Sequence, residues 1–247
     1  MIPKSKIKLV KSLQVKKYRK QEQCFVVEGM KSVEELLKSD FEVIWVAGSI
    51  PFIQRHEKLI KRKGCEVLEA TERQLEDMGN FQTNDAALAI ARTKPNVLLK
   101  EKGNIQLILD NIRDPGNMGT IIRTADWYGI RQIIASEGTT DVYNPKVISA
   151  TMGSFCRVNI FYTPLMPFIQ QIKVPVFGTF LNGLHIHQVN FPSEAYIVIG
   201  NEAKGISPEV AELVTQRITI PKWGDAESLN AGVAAAVILD NLRRSQK

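Results

Sequence analysis

Short apolar runs alternate with helical patterns along the whole chain. In the first half, the runs are separated by stretches of about ten residues in which apolar positions recur at helical spacing. The predicted strands are CFVVEG, EVIWVAG, CEVLEA and AALAIAR, and the predicted helices are 7–17, 31–38, 52–62 and 72–78. This order of elements predicts a small α/β layer domain.

The second half repeats the alternation with strands that are more apolar. Its predicted strands are IQLILD, RQIIAS, RVNIFY, VPVFGTFL, YIVIG and RITIP, and its predicted helices are 118–128, 146–153, 208–214 and about 229–244. Strands this apolar are usually covered by helices on both faces, so we expect a mostly parallel sheet. Because a polar stretch with a proline separates the halves, we predict a first domain over 1–97, a linker over 98–104 and a second domain over 105–247.

The composition is that of a globular protein, since 44% of the 247 residues are hydrophobic and 23% are charged. No apolar run approaches the roughly 20 residues that a membrane span needs, and the N-terminus lacks the apolar core of a signal peptide. The cysteines, Cys24, Cys65 and Cys156, are scattered without CxxC spacing, which argues against a disulfide framework and a zinc site. We expect a cytoplasmic protein with no metal and no membrane partner.

Positive charge is concentrated at the N-terminus. The net charge is +6, yet the first twenty residues alone carry eight lysines and arginines and no acidic residue. Such a block attracts polyanions through a salt-sensitive, largely sequence-independent force. Lys16, Lys17 and Arg19 are therefore candidate RNA contacts, and a solvated helix end is the alternative.

Three predicted strand ends carry unusual residues. The segments are DNIRDPGNMGTIIRTADWYG (110–129), YIVIGNEAKGIS (196–207) and ITIPKWGDAESLNAGVAAAVILDNL (218–242). None contains the dinucleotide-binding GxGxxG, the Walker loop or the GxSxG nucleophile motif. One such turn alone would be an ordinary strand-to-helix connection, with Asn117 as the N-cap of the first. Three of them favour a ligand site, because ligands of parallel α/β sheets bind beyond the carboxyl ends of the strands.

In order and spacing, NIRDPGNMGTIIRTA, VIGNEAKGIS and ITIPKWGDAESLNAGVAAA closely resemble the three signature motifs of the SpoU (TrmH-type) RNA ribose 2′-O-methyltransferases of the SPOUT superfamily. The similarity runs from 106 to the C-terminus. The N-terminal half, where KYRKQEQCFVVEG leads into a helix, is similar to the family's RNA substrate-binding domain.

This resemblance implies a fold and a reaction. The fold is an α/β SPOUT domain with a deep trefoil knot near its C-terminal end and a mostly parallel sheet, preceded by a small α/β RNA-binding domain. The reaction is the transfer of a methyl group from S-adenosylmethionine to a ribose 2′-OH of RNA. The resemblance also implies a homodimer, and the N-terminal domain favours 23S-type ribosomal RNA as the substrate, since many family members that act on tRNA lack it.

The motif positions also imply site residues. The catalytic set is Arg123, Asn117, Glu202, Ser228 and Asn230, and the cofactor-binding set is Leu181, Gly200, Ile220 and Leu229. A guanidinium is effectively always protonated in proteins, so we expect Arg123 to hold the neighbouring phosphate and polarise the 2′-OH rather than act as a general base. For Asn117, Glu202, Ser228 and Asn230, local capping or bracing of the loop is the alternative.

Other features change the interpretation little. Ala231-Gly232 departs from the Val-Ser that the family often has there, and we expect altered helix packing. His185 and His187 are expected on one face of a surface strand, without a third metal ligand. The three tryptophans are expected to fill the core or an interface rather than to stack on bases, although Trp223 lies beside the third motif. Two other functions stay open, which are a tRNA ribose methyltransferase and a catalytically idle RNA-binding or assembly protein. A different nucleotide-binding α/β enzyme fits less well, because the GxGxxG and Walker motifs are missing.

Overall fold

The computed structural model describes residues 2–99 and 104–246. Contacts within the chain divide it into two units. The first comprises Met1–Pro95 and Asp141–Cys156, and the second comprises Asn96–Thr140 and Arg157–Lys247. The predicted bounds of the two domains stay a prediction, and positions 100–103 of the predicted linker lie outside the described residues.

The elements alternate as the apolar pattern predicts. The helices are α1 Lys4–Ser12, α2 Lys16–Glu22, α3 Met30–Lys38, α4 Ile50–Lys63, α5 Glu72–Met78, α6 Pro115–Trp127, α7 Pro145–Thr151, α8 Leu165–Ile169, α9 Pro208–Glu212 and α10 Ala231–Ser245. The strands are β1 Cys24–Glu28, β2 Val43–Gly48, β3 Glu66–Glu69, β4 Ala87–Arg92, β5 Ile105–Asp110, β6 Gln132–Ala135, β7 Asn159–Tyr162, β8 Val176–His185, β9 Ala195–Gly200 and β10 Gln216–Thr219. None of the described helices is both long and apolar enough to cross a membrane.

Three local predictions were wrong. The single helix predicted over 7–17 is two helices, α1 and α2, because Leu13–Val15 leaves the helical path between them. The short helix α8 was not predicted. His185 ends β8 and His187 lies in the 3₁₀ turn Ile186–Gln188, so the two histidines do not share a strand face.

The first unit is built on a four-stranded sheet in the order β1-β4-β2-β3, in which β2 and β3 are parallel and the other pairs are antiparallel. Both faces of this sheet are buried. Phe25 and Val27 of β1 belong to one apolar cluster and Val26 to the other, as the two-residue period of a strand requires.

The segment 141–156 completes the first unit, although it follows β6 in the chain. Helix α7 packs on β1, and Ile148 and Phe155 are buried in its apolar cluster. The Tyr143 ring lies 4.6 Å from the ring of Phe25 between centroids. Apolar spacing along the chain predicts that this segment is buried, but it does not specify which sheet the segment packs on.

The second unit is a six-stranded sheet in the order β10-β8-β9-β5-β6-β7, and every pair in it is parallel. This confirms the predicted α/β fold with a mostly parallel sheet. Helix α10 packs along α6 and β9, while apolar residues of α8 and α9 pack on Ile108, Ile134 and Val198. The trefoil knot stays a prediction.

Candidate active site

The first two motif loops begin at the carboxyl ends of neighbouring strands. Strands β5 and β9 pair in register up to Asp110 and Gly200, which lie opposite each other at the strand ends. The carboxylate of Asp110 then accepts hydrogen bonds from both the main-chain N–H and the hydroxyl of Ser207, each at 2.7 Å. The first and second loops are therefore joined directly where the strands end.

The first loop turns sharply into α6. Asn111 adopts a left-handed conformation with φ of 59° immediately after β5, and Asp114 caps the helix by accepting from the main-chain N–H of Asn117 at 2.8 Å. Pro115 occupies the first helical position, where its missing N–H costs nothing and its fixed φ suits the helix. The local sequence thus determines where α6 starts and brings Asn117 into its first turn.

The second loop closes on itself through its main chain. Asn201 and Gly205 exchange two hydrogen bonds of 2.9 Å, and Gly205 has a φ of +69°. A Cβ on Gly200 would lie 2.2 Å from the carbonyl carbon of Gly205, so only glycine fits there. The Asn201 side chain donates to the carbonyl of Asn111 at 2.7 Å, which is a second link to the first loop.

Glu202 accepts hydrogen bonds from both loops. Its Oε1 accepts from the Asn117 side chain at 3.0 Å and from the main-chain N–H of Asp114 at 3.2 Å. Its Oε2 accepts from the main-chain N–H of Arg113 at 3.3 Å and from the Asn201 side chain at 3.2 Å. Partial burial opposes the charged form, but the hydrogen bonds from Asn117 and the main chain outweigh it and hold the pKa of Glu202 below its ordinary value.

Asn230, the N-cap of α10, connects the third motif to the same carboxylate. Its side-chain N–H₂ donates to the amide oxygen of Asn117 at 2.6 Å, while its Oδ1 caps α10 by accepting from the N–H groups of Gly232 and Val233. The chain of contacts from Asn230 through Asn117 to Glu202, here named the amide–carboxylate network, ties all three motif loops together. Three of the five predicted catalytic residues are thus in hydrogen-bond contact.

Arg123 and Ser228 do not belong to this network. Arg123 is exposed on α6, on the same side of the helix as Thr120 and Trp127, and within the described chain it has no hydrogen bond or ion pair. Ser228 is exposed and equally without a protein partner among the described residues. Both side chains are free to contact a ligand.

Two of the predicted cofactor residues, Ile220 and Leu229, adjoin or belong to a segment with unused hydrogen-bonding groups. Residues 221–229, here named the third loop, make no hydrogen bond within the described part of the chain. Leu229 is 50% exposed and Leu181 is 74% exposed. Leu181 lies in the stretch 179–183, which leaves the ladder between β8 and β10, and its carbonyl accepts from the Thr219 hydroxyl at 3.0 Å. Exposed apolar side chains and free main-chain polar groups therefore occur together within the third loop.

The N-terminal RNA candidates separate into two kinds. Lys16 and Lys17 are exposed on α2 and available to a phosphate backbone. Arg19 is only 3% exposed, and its guanidinium binds Asp141 and the carbonyls of Leu13 and Gln14. The burial of Arg19 contradicts both its assignment to RNA binding and the alternative of a solvated helix end. Its hydrogen bonds hold α2 on its own unit.

Sequence reasoning missed several residues that build the site. Asp110, Asp114, Asn201 and Ser207 all carry hydrogen bonds between or within the motif loops. Asp114, and not Asn117, caps α6, and the Asp-Pro order is the local signal that could have shown it. No local signal could pair Asp110 with a serine so distant in the chain. Of the three tryptophans, Trp45 is buried in the core, whereas Trp127 and Trp223 are each 84% exposed and do not belong to it.

The fold and the three connected loops define a SpoU-type methyltransferase domain, and comparison with known families agrees. Residues 104–240 match the SpoU rRNA Methylase family, and residues 4–89 match the MRM3-like substrate binding domain. Because the first match covers more than half of the chain, the protein belongs to the SpoU rRNA methylase family.

Individual relatives extend over nearly the whole chain. The 23S rRNA (guanosine(2553)-2'-O)-methyltransferase RlmP of Bacillus subtilis is 29% identical over 245 residues, which is 96% of each chain. A TrmH-family structure from Porphyromonas gingivalis is 34% identical, covers 99% of both chains and superposes with a TM-score of 0.85. An AdoMet-bound rRNA methyltransferase from Sinorhizobium meliloti is 29% identical, with a TM-score of 0.87 and coverage of 96% of this chain and 94% of that one. The family resemblance is confirmed.

Proposed function

We propose that this protein transfers a methyl group from S-adenosylmethionine to a ribose 2′-OH of RNA, and that its substrate is 23S-type ribosomal RNA. The observation that carries the proposal is the amide–carboxylate network, which holds the three family motifs together beside a loop with free polar groups. The Bacillus subtilis relative, whose alignment covers 96% of both chains, is a 23S rRNA methyltransferase.

The residues at the site fit S-adenosylmethionine. An adenine ring needs apolar surfaces and main-chain partners, and these are what Leu181, Ile220, Leu229 and the third loop offer. We propose that these residues hold it together with the main chain at Gly200. When bound, S-adenosylmethionine supplies an electrophilic methyl group.

Arg123 is an exposed cation of the first motif. A guanidinium presents several donors in a planar fork that matches a phosphate, and this one has no partner in the described chain. We propose that Arg123 holds the phosphate next to the target ribose and polarises the 2′-OH. Aligning the reactants and stabilising developing charge are the main ways in which an enzyme accelerates such an in-line transfer.

The site residues divide into two roles under this proposal. Asn117, Glu202 and Asn230 position the loops, since their hydrogen-bonding groups are directed at one another and at the main chain. Ser228 is exposed in the third loop and is available to contact the ribose or the donor.

The first unit has the properties of an RNA-binding module. It matches a substrate binding domain, and α2 presents Lys16 and Lys17 to solvent. We propose that these lysines contact the RNA backbone, which would make binding depend strongly on salt.

We further propose a homodimer that works in the cytoplasm. Trp127 on α6 and Val233 on α10 are exposed apolar side chains on two helices that pack together. Apolar side chains exposed on packed helices favour association with a second copy. The molar mass in solution tests this assignment.

The test of function is transfer of labelled methyl groups from S-adenosylmethionine to in vitro transcribed 23S rRNA, 16S rRNA and tRNA, followed by alkaline hydrolysis. A 2′-O-methylated nucleotide resists the hydrolysis, so label in a dinucleotide from 23S rRNA is expected. Arg123→Ala should abolish transfer and leave calorimetric binding of S-adenosylmethionine unchanged. Label in tRNA would make the enzyme a tRNA methyltransferase, and no label in any RNA would support an idle RNA-binding protein.

A further inference from the structure

Trp223 is an exposed aromatic residue in the loop that carries the site. Its side chain is 84% exposed, and the third loop around it makes no hydrogen bond within the described residues. The loop joins Ile220, a proposed cofactor contact, to Asn230, the member of the amide–carboxylate network that caps α10. A large apolar ring is therefore exposed to solvent in the segment of chain that joins two proposed site residues.

The surroundings of Trp223 differ from those of a protein interface. The core of an interface is a contiguous patch of apolar side chains. Lys222 and residues 224–227, the neighbours of Trp223 in the chain, are exposed and mostly polar or charged. Trp127 offers the contrast, because it lies on the face of a regular helix that packs on α10. An isolated ring between polar neighbours fits a small flat partner better than a protein surface.

We propose that Trp223 stacks on an unpaired nucleobase of the RNA substrate and so helps to hold the target region at the site. This assignment rests on the proposed RNA methylation. A 2′-OH is presented for reaction when its nucleotide is drawn out of regular helical stacking, and exposed aromatic rings are the usual partners of unstacked bases. Stacking is indifferent to base identity, so Trp223 contributes affinity for the RNA and not the choice of base.

Steady-state kinetics of the full-length enzyme with in vitro transcribed 23S rRNA is the first test. Trp223→Ala removes the ring and is expected to raise KM for RNA by about 5- to 150-fold, the effect of losing one base stack, with kcat changed less than KM. Trp223→Phe keeps an aromatic face and is expected to stay within about threefold of the wild type in KM. Calorimetric affinity for S-adenosylmethionine and molar mass by light scattering should be the same for all three proteins.

Acrylamide quenching of tryptophan fluorescence is the second test, and it needs no turnover. Both proteins keep Trp45, which is only 2% exposed, and Trp127, which is exposed. The difference in quenching between the wild type and Trp223→Phe therefore reports on Trp223. Adding 23S rRNA is expected to reduce that difference by more than half. The Trp223→Phe protein, which keeps Trp127, serves as the matched control for nonspecific shielding.

Each outcome decides the proposal. An unchanged KM for RNA in Trp223→Ala overturns it, as does quenching of Trp223 that RNA leaves unaffected. Weaker binding of S-adenosylmethionine in Trp223→Ala would assign the ring to the cofactor, and a changed molar mass would assign it to the dimer; either result also overturns the proposal. If the wild type methylates no RNA, the proposed function fails, while quenching still shows whether Trp223 meets RNA.

Discussion

Replacing the Glu202 carboxylate by an amide is the most direct perturbation of the amide–carboxylate network. In Glu202→Gln, one of the two oxygens becomes an N–H₂ group that faces donors it cannot accept from. At least two of the four hydrogen bonds to this side chain are therefore lost, and the others lose their charge assistance. A hydrogen bond to a charged group contributes about 1.5–3 kcal/mol.

Glu202 is only partly buried, so solvent compensates some of this loss. We expect the free energy of unfolding to fall by about 2–3 kcal/mol, well below the sum of the individual bonds. In a protein of this size that corresponds to a Tm lower by about 4–12 °C. Glu212→Gln makes the same change of charge at an exposed position on α9 and is the matched control.

The dependence on pH distinguishes this explanation from simple loss of packing. Because the folded-state pKa of Glu202 is lowered, its ionisation contributes stability that is present above the unfolded pKa of about 4.3 and is lost as pH falls through the folded pKa. The stability difference between wild type and Glu202→Gln should therefore be constant near neutral pH and narrow below about pH 4.3. Chemical denaturation at several pH values measures it. A difference within about 0.5 kcal/mol of the Glu212→Gln control at neutral pH would refute the reasoning.

Three further predictions concern the architecture around the site. Gly200→Ala places a Cβ 2.2 Å from the main chain of the second loop and should lower the free energy of unfolding by about 2–4 kcal/mol. Gly224→Ala is the control, because its Cβ meets nothing within 4 Å and should change the stability little. Equal shifts in Tm for the two variants would contradict this. Arg19→Met leaves Asp141 without its cation and should lower the free energy of unfolding by about 3–5 kcal/mol. A double-mutant cycle with Asp141→Asn should show coupling between the two residues. Additive effects would show that the ion pair contributes little. A fragment over 1–97 lacks α7 and exposes the apolar cluster that α7 covers, so its amide NMR spectrum should be poorly dispersed. Well-dispersed peaks would show that the first unit folds without residues 141–156.

The architecture of the motif loops follows from local sequence to different degrees. Asp114 and Pro115 are a local signal for the start of α6, because a cap and a fixed φ act within one turn. Apolar spacing alone places that start three residues too late, at 118. The assignment of Asn117, Glu202 and Asn230 to one site came from the order of the family motifs. The hydrogen bonds that join these residues could not be predicted, since they connect positions 85 and 113 residues apart in the chain.

Apolar periodicity in the sequence by itself determined the alternation of helices and strands and the parallel character of the second sheet. The burial of Arg19 against Asp141, the packing of α7 on β1 and the exposure of Trp127 and Trp223 were decided only by the tertiary structure. The physical reason is the distance along the chain over which each interaction acts. Caps, turns and strand alternation depend on neighbours along the chain, whereas the burial of a charge or a ring depends on what distant segments bring beside it.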